Sequence, residues 1–246
     1  MTTSNTIKII TNTIATVLTY VAMSYASIWL EQFGMLNNTF GKFSCRYIIW
    51  SIPAIVATFV IIHPQKNILK ALGLDANLPK GFLVALISTI PLFVGFGIMG
   101  TLRDGWDIEL LCRKALFPGF FEEFIFRGFL FGMLFRYCKL GFIWSALIPS
   151  VFFGICHIYQ GSDFVTCLSV FAVTFIGAIY FSWMYVGWKF NLWVPVFLHI
   201  LMNAAWVTFS MEGTDNAAGS LISNVLRALS IVIAIGITVW YRKHKC

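Results

Sequence analysis

Residues 117–132, FPGFFEEFIFRGFLFG, set two adjacent carboxylates, Glu122 and Glu123, and the guanidinium of Arg127 in an otherwise apolar run. Two later apolar runs repeat the anomaly. FFGICHIYQG carries His157 four residues after Phe153, and FLHILMNAAW carries Asn203 four residues after His199. An ionisable group in a membrane-thick apolar segment costs roughly 2.5–3.5 kcal/mol on insertion scales, so such groups pair with one another or serve function. Residues four apart share a helix face, which lets Glu123 meet Arg127, while Glu122 points about 100° away. One carboxylate is neutralised by this spacing and one is left over.

A free carboxylate, two imidazoles and a carboxamide in a dry cavity suit amide hydrolysis. A base must take a proton from water, and donors must stabilise the oxyanion that forms. Other readings use the same residues. Glu122, Glu123 and Arg127 could be a buried ion network that only fixes helix packing. Glu122, His157 and His199 could be three zinc ligands with an open water position, although no HExxH sets two histidines on one helix face. A Glu and His proton relay would suit a transporter, but the inverted repeat and interrupted helices of that class are not found.

These residues need elements to hold them. The chain has 246 residues, 59% hydrophobic and only 11% charged, with a mean hydropathy of +0.83, which places it outside the soluble globular range. Eight apolar runs near the roughly 20 residues that span a bilayer cover about residues 7–30, 47–62, 82–100, 115–137, 142–158, 164–186, 192–209 and 221–241. The expectation is an all-α polytopic membrane bundle of eight helices, with residues 1–246 as one transmembrane domain. The first run is longer than a signal-peptide core and lacks a small-residue cleavage site, so it is expected to be retained.

Basic residues near spans report sidedness. With a cytoplasmic N-terminus, Lys8, Lys66, Lys70, Lys80, Arg136, Lys139, Lys189, Arg242, Lys243 and Lys245 fall inside, and Lys42, Arg46, Arg103, Arg113 and Lys114 outside. That asymmetry favours both termini inside, and the net charge of +7 then reports orientation rather than nucleic-acid binding. Glu122, His157, His199 and Asn203 would meet in the outer half of the bundle.

Cys45, Cys112, Cys138, Cys156, Cys167 and Cys246 form no CxxC or similar spacing, so unpaired thiols are expected. Cys45 and Cys112 share the outer side, where a disulfide could form. Residues 103–114 read as an interfacial helix with Trp106, Ile108, Leu110 and Leu111 on its apolar side, or as a gate to the site.

EEFIFR, FGICH and HILMN resemble the EExxxR, FxxxH and HxxxN motifs of the CPBP family, the CAAX-protease and bacteriocin-processing membrane proteins, also called the type II CAAX endopeptidase or Abi family. Their order and placement on separate spans agree over residues 115–209. The resemblance implies a glutamate-type intramembrane endopeptidase with its site in a cavity between helices. Glu122 with His157 would activate water, and His199 with Asn203 would form the oxyanion hole. Glu123 would support the site while paired with Arg127, and Phe153 would pack beneath it.

The resemblance also implies water activation without a protein-bound cofactor, with zinc as the alternative. Its partners would be the bilayer of a prokaryotic plasma membrane and a hydrophobic or lipidated peptide or protein. Eukaryotic relatives trim prenylated CAAX proteins, whereas prokaryotic relatives are associated with pheromone or bacteriocin processing and immunity. A non-catalytic peptide-binding scaffold would use most of the same cavity residues.

Overall fold

The computed structural model describes residues 3–31, 39–63, 67–211 and 215–245. Where no water reaches the backbone, its polar groups must bond within the segment, and apolar runs therefore become helices. The helices are α1 (Thr3–Glu31), α2 (Thr39–Ile62), α3 (Ile68–Leu72), α4 (Leu78–Met99), α5 (residues 108–137), α6 (Gly141–Ile155), α7 (Phe164–Gly187), α8 (Trp193–Thr208) and α9 (Leu221–Lys245). Two short strands, β1 (Thr101–Leu102) and β2 (Phe209–Ser210), pair antiparallel.

The chain is an all-α polytopic helical membrane protein. Among the described residues, five helical stretches are long and apolar enough to cross a bilayer: Asn5–Ala26, Leu78–Met99, Gly141–Gln160, Phe164–Gly187 and Leu221–His244. Arg46–Ile62 and Trp193–Thr208 are shorter apolar helices, and α5 carries the charges of the site. Each of the eight apolar runs thus coincides with a helix, while eight crossings remain the expectation of the sequence. Large apolar side chains stand exposed along one stripe of α1, at Ile7, Ile10, Ile14 and Leu18, whereas Thr16, Tyr20 and Met23 are buried on its other side. That helical spacing divides a lipid face from a core face.

Side-chain caps set several helix starts. Asn77 accepts from Lys80 N at 2.8 Å at the start of α4, with Pro79 in the first turn, where its missing N–H costs nothing. Asp107 accepts from Leu110 N at 2.7 Å and starts α5. Asp163 caps α7 through Val165 N and Thr166 N. The Thr166 hydroxyl and backbone N–H, with smaller help from Ser162, hold the Asp163 carboxyl below its ordinary range.

Helix α5 is the axis of the molecule, and every residue from Glu123 to Leu134 is buried. It alternates between α-helical and wider π-helical turns, the latter over Cys112–Leu116, Phe124–Phe131 and Met133–Tyr137. Gly132 N–H bonds to Arg127 O and Cys138 N to Met133 O, each five residues back. Such turns are rare and concentrate at functional sites. A core cluster joins this axis to Tyr20 and Met23 of α1, Tyr47 and Trp50 of α2, Phe153 of α6 and Tyr185 of α7. Helix α4 packs between α8 and α9, completing the outer layer.

The interfacial helix expected over residues 103–114 is shorter than that and is not separate. Gly105 has a φ of 69°, the helix starts only after Asp107, and it runs directly into α5. Residues before it are stitched to the end of α8. Arg103 Nε donates to Val207 O at 3.1 Å, and Trp106 Nε1 donates to Thr208 Oγ1 at 3.2 Å. Cys112, Cys138, Cys156 and Cys167 carry free thiols. The side chain of Cys45 and all of Cys246 lie outside the described residues. So do Lys66 and the side chains of Lys42 and Lys245, which the sidedness argument used.

Candidate active site

The two adjacent glutamates stand in different environments. Glu123 Oε1 accepts from Arg127 Nη1 at 2.9 Å and from His199 Nδ1 at 2.7 Å, and the Glu123 and Arg127 side chains are 0% and 1% exposed. The guanidinium lies over the rings of Phe153 at 4.9 Å and Phe181 at 5.2 Å. Two aromatic faces and one carboxylate replace water around a cation that could not otherwise be buried. Satisfaction is incomplete, because Glu123 Oε2 and Arg127 Nη2 have no hydrogen-bond partner.

Glu122 is outside that pair. Its Oε1 accepts from the Tyr47 hydroxyl at 3.3 Å, and its Oε2 has no hydrogen-bond partner. That oxygen lies 4.0 Å from His157 Nε2 and 4.0 Å from His199 Nε2. The side chains of Glu122 and His157 are 15% and 17% exposed, enough to meet a ligand that cannot reach Glu123. The leftover carboxylate therefore faces two imidazoles at a separation that one bridging water spans.

Both ring tautomers follow from fixed acceptors. His157 Nδ1 lies 2.7 Å from Phe153 O, and a carbonyl only accepts, so Nδ1 carries the proton and Nε2 is turned to Glu122. His199 Nδ1 donates to the Glu123 carboxylate in the same way, which orients the ring and leaves Nε2 toward Glu122. Aromatic rings hold the imidazoles. Phe153 lies 4.4 Å from the His157 ring and meets the His199 ring edge-on at 6.4 Å, and Phe181 stacks on His199 at 5.6 Å.

Glycine sets the approach of α5 to α8. A Cβ on Gly119 would sit 2.8 Å from Ile200 N and 2.9 Å from Ile200 Cα, next in sequence to His199 and one turn before Glu123. Gly to Ala inside a helix ordinarily gains about 1 kcal/mol, but overpacking against a backbone costs about 1–3 kcal/mol. Gly119→Ala is therefore expected to lower thermal stability in detergent and to weaken cleavage by spreading the Glu123–His199 contact. Unchanged or increased stability would show that α8 moves freely at this point.

The structure brings Glu122, Glu123, Arg127, His157, His199 and Phe153 together. Asn203 stands one turn beyond His199 on α8, half-buried, and its carboxamide makes no hydrogen bond among the described residues. Arg227 lies apart, donating to Ala217 O at 2.9 Å beneath Trp206. Sequence reasoning missed Tyr47 and Phe181. A lone tyrosine in the apolar run 47–62 was a readable signal, since its hydroxyl needs a partner. Phe181 is one of 25 phenylalanines, and nothing in its own position distinguishes it. Among the described residues no group of three His, Cys, Asp or Glu side chains has the arrangement of a metal site.

The family model of the Rce1-like group, "Type II CAAX prenyl endopeptidase Rce1-like", matches residues 104–205, a span that contains every motif residue from Glu122 to Asn203. The chain is also similar to the protein named "Putative membrane peptidase YdiL" of Bacillus subtilis (strain 168), at 25% identity over 229 residues, covering 81% of this chain and 89% of that relative. These similarities support the CPBP family and, more coarsely, a membrane protease.

Proposed function

We propose that the chain is a glutamate-type intramembrane endopeptidase acting on a hydrophobic or lipidated peptide segment, with water as the nucleophile. The observation that supports it most is the division of labour between adjacent carboxylates: Glu123 is engaged by Arg127 and His199, while Glu122 Oε2 faces two imidazole nitrogens at 4.0 Å. A packing network alone has no use for the second arrangement.

In this reading a water held between Glu122 Oε2 and His157 Nε2 gives its proton to Glu122 as its oxygen attacks the scissile carbonyl carbon. The carbonyl oxygen becomes the oxyanion. His199, oriented by its Nδ1 contact with Glu123, presents Nε2 to the oxyanion as one donor. Asn203, whose amide hydrogens are uncommitted, supplies a second one. Collapse of the intermediate breaks the C–N bond, and the proton held by Glu122 passes to the leaving amine. The protein would cross a prokaryotic plasma membrane several times with both termini cytoplasmic, a sidedness that one-sided labelling of Lys139 in sealed vesicles reports.

The test is cleavage of a hydrophobic and lipidated peptide library by purified wild type, His157→Ala, His199→Ala and Asn203→Ala, with and without a strong chelator. Loss of one oxyanion donor costs about 10² to 10³ in rate, so Asn203→Ala should keep a measurable residue of activity. His157→Ala should fall by about 10² to 10⁴ as part of the base. Chelation should change little. Activity lost to chelator and restored by zinc would make Glu122, His157 and His199 metal ligands, and tight peptide binding with no product from any substrate would place the chain with scaffolds.

A further inference from the structure

A second site lies at the other end of α5. Arg136 is fourteen residues beyond Glu122, or about 20 Å along the helix at the usual rise per residue. There a cavity of about 730 Å³ is lined by Lys8 from α1, His63 just after α2, Arg136 from α5, and Lys139 with Gly141 at the turn into α6. Among the described residues that line it there is no carboxylate. Ile62 and Phe135 contribute an apolar wall.

The basic groups are held in place. Arg136 Nη1 donates to Lys70 O at 3.1 Å and Ala71 O at 2.7 Å, and its guanidinium lies 4.4 Å over Phe190, which fixes the cation at the wall of the cavity. Lys139 has a φ of 60°, a left-handed conformation that costs a non-glycine residue on the order of 1–2 kcal/mol. Gly141, with a φ of 73°, closes the turn and opens α6, and Leu140 places no side-chain cap on that helix. The free N–H groups and positive dipole end of a 15-residue helix thus meet the cavity beside the lysine.

Lys8, His63, Arg136 and Gly141 all lie at ends of apolar helices, the level at which lipid headgroups sit. Basic pockets between helices at that level suit phosphorylated headgroups, and a wall of Ile62 and Phe135 suits the glycerol and first methylenes of an acyl chain. A free phosphate would use the cations but not the wall.

We propose that this cavity binds the phosphate of an anionic phospholipid headgroup, clamped by Lys8, Arg136 and Lys139, at a site separate from the one that carries the hydrolytic residues. The experiment titrates the purified full chain in neutral detergent with phosphatidylglycerol, phosphatidylcholine or inorganic phosphate, reading bound lipid by native mass spectrometry and the melting temperature in parallel. Lys8→Gln and Lys139→Gln are the variants, since both side chains are exposed, whereas Arg136 also holds the backbone of α3.

Phosphatidylglycerol should bind at least tenfold more tightly than phosphatidylcholine and raise the melting temperature. The double variant should lose that preference by tenfold or more while keeping the melting temperature of lipid-free wild type, and added salt should weaken wild-type binding. Equal binding of the two lipids, or a preference unchanged in the double variant, overturns the site. Protection by inorganic phosphate alone, with the same lysine dependence and no gain from lipid, keeps a phosphate site but overturns the lipid as its source.

Discussion

Glu122→Gln is expected to insert and fold like wild type and to cleave about 10² to 10⁴ times more slowly, the usual contribution of a general base. The substitution keeps shape, and the Tyr47 hydroxyl can still donate to the remaining carbonyl oxygen, as it does to Glu122 Oε1 at 3.3 Å. What it removes is the proton acceptor facing His157 and His199 at 4.0 Å. Glu122 makes no hydrogen bond to Arg127 and attracts it less than Glu123 does, so the substitution leaves the buried cation its main partner. A melting temperature near wild type with turnover lost would separate catalysis from packing. A fall in stability as large as that of an Arg127 variant would return both glutamates to a single structural network.

How much of this site could be read beforehand depended on chemistry that stands out from its surroundings. Charged and imidazole groups in apolar runs announce themselves because burying them is expensive, and the four-residue spacing alone paired Glu123 with Arg127, now 2.9 Å apart. The bond from His199 to Glu123 was not readable, because it joins residues 76 positions apart and depends on the backbone contact at Gly119. Phe181 was hidden for a different reason. A phenylalanine facing lipid and one stacked on an imidazole obey the same helical periodicity.

The fold shows the same division. Apolar runs predicted helices, and the helices are there. Nothing in composition foretold the π-helical turns of α5, since no residue type marks them and tertiary packing decides between the registers. The short strands also escaped notice. They are two residues each and exist because Arg103 and Trp106 draw that loop onto the end of α8.

Arg127→Met is expected to be the most destabilising single change in the site, by about 3–5 kcal/mol, the usual result of removing one partner from a buried ion pair. Methionine fills much of the space between Phe153 and Phe181, so the loss is not chiefly a cavity. It comes from Glu123, which is fully buried and would keep only His199 as a partner. The measurement is thermal unfolding in detergent together with membrane yield, and the control is Glu123→Gln/Arg127→Met. Removing both charges leaves no uncompensated ion, and a buried pair is often worth little more than the neutral groups that replace it. The double variant should therefore recover most of the lost stability, a coupling that a double-mutant cycle isolates. It should stay slow in cleavage, because an amide at position 123 can turn its NH₂ toward His199 Nδ1 and so loses the fixed acceptor that orients the ring. If the double variant were as unstable as Arg127→Met, the cost would lie in the lost cation–aromatic contacts, and the Glu123–Arg127 pair would not be what holds α5 against α6 and α8.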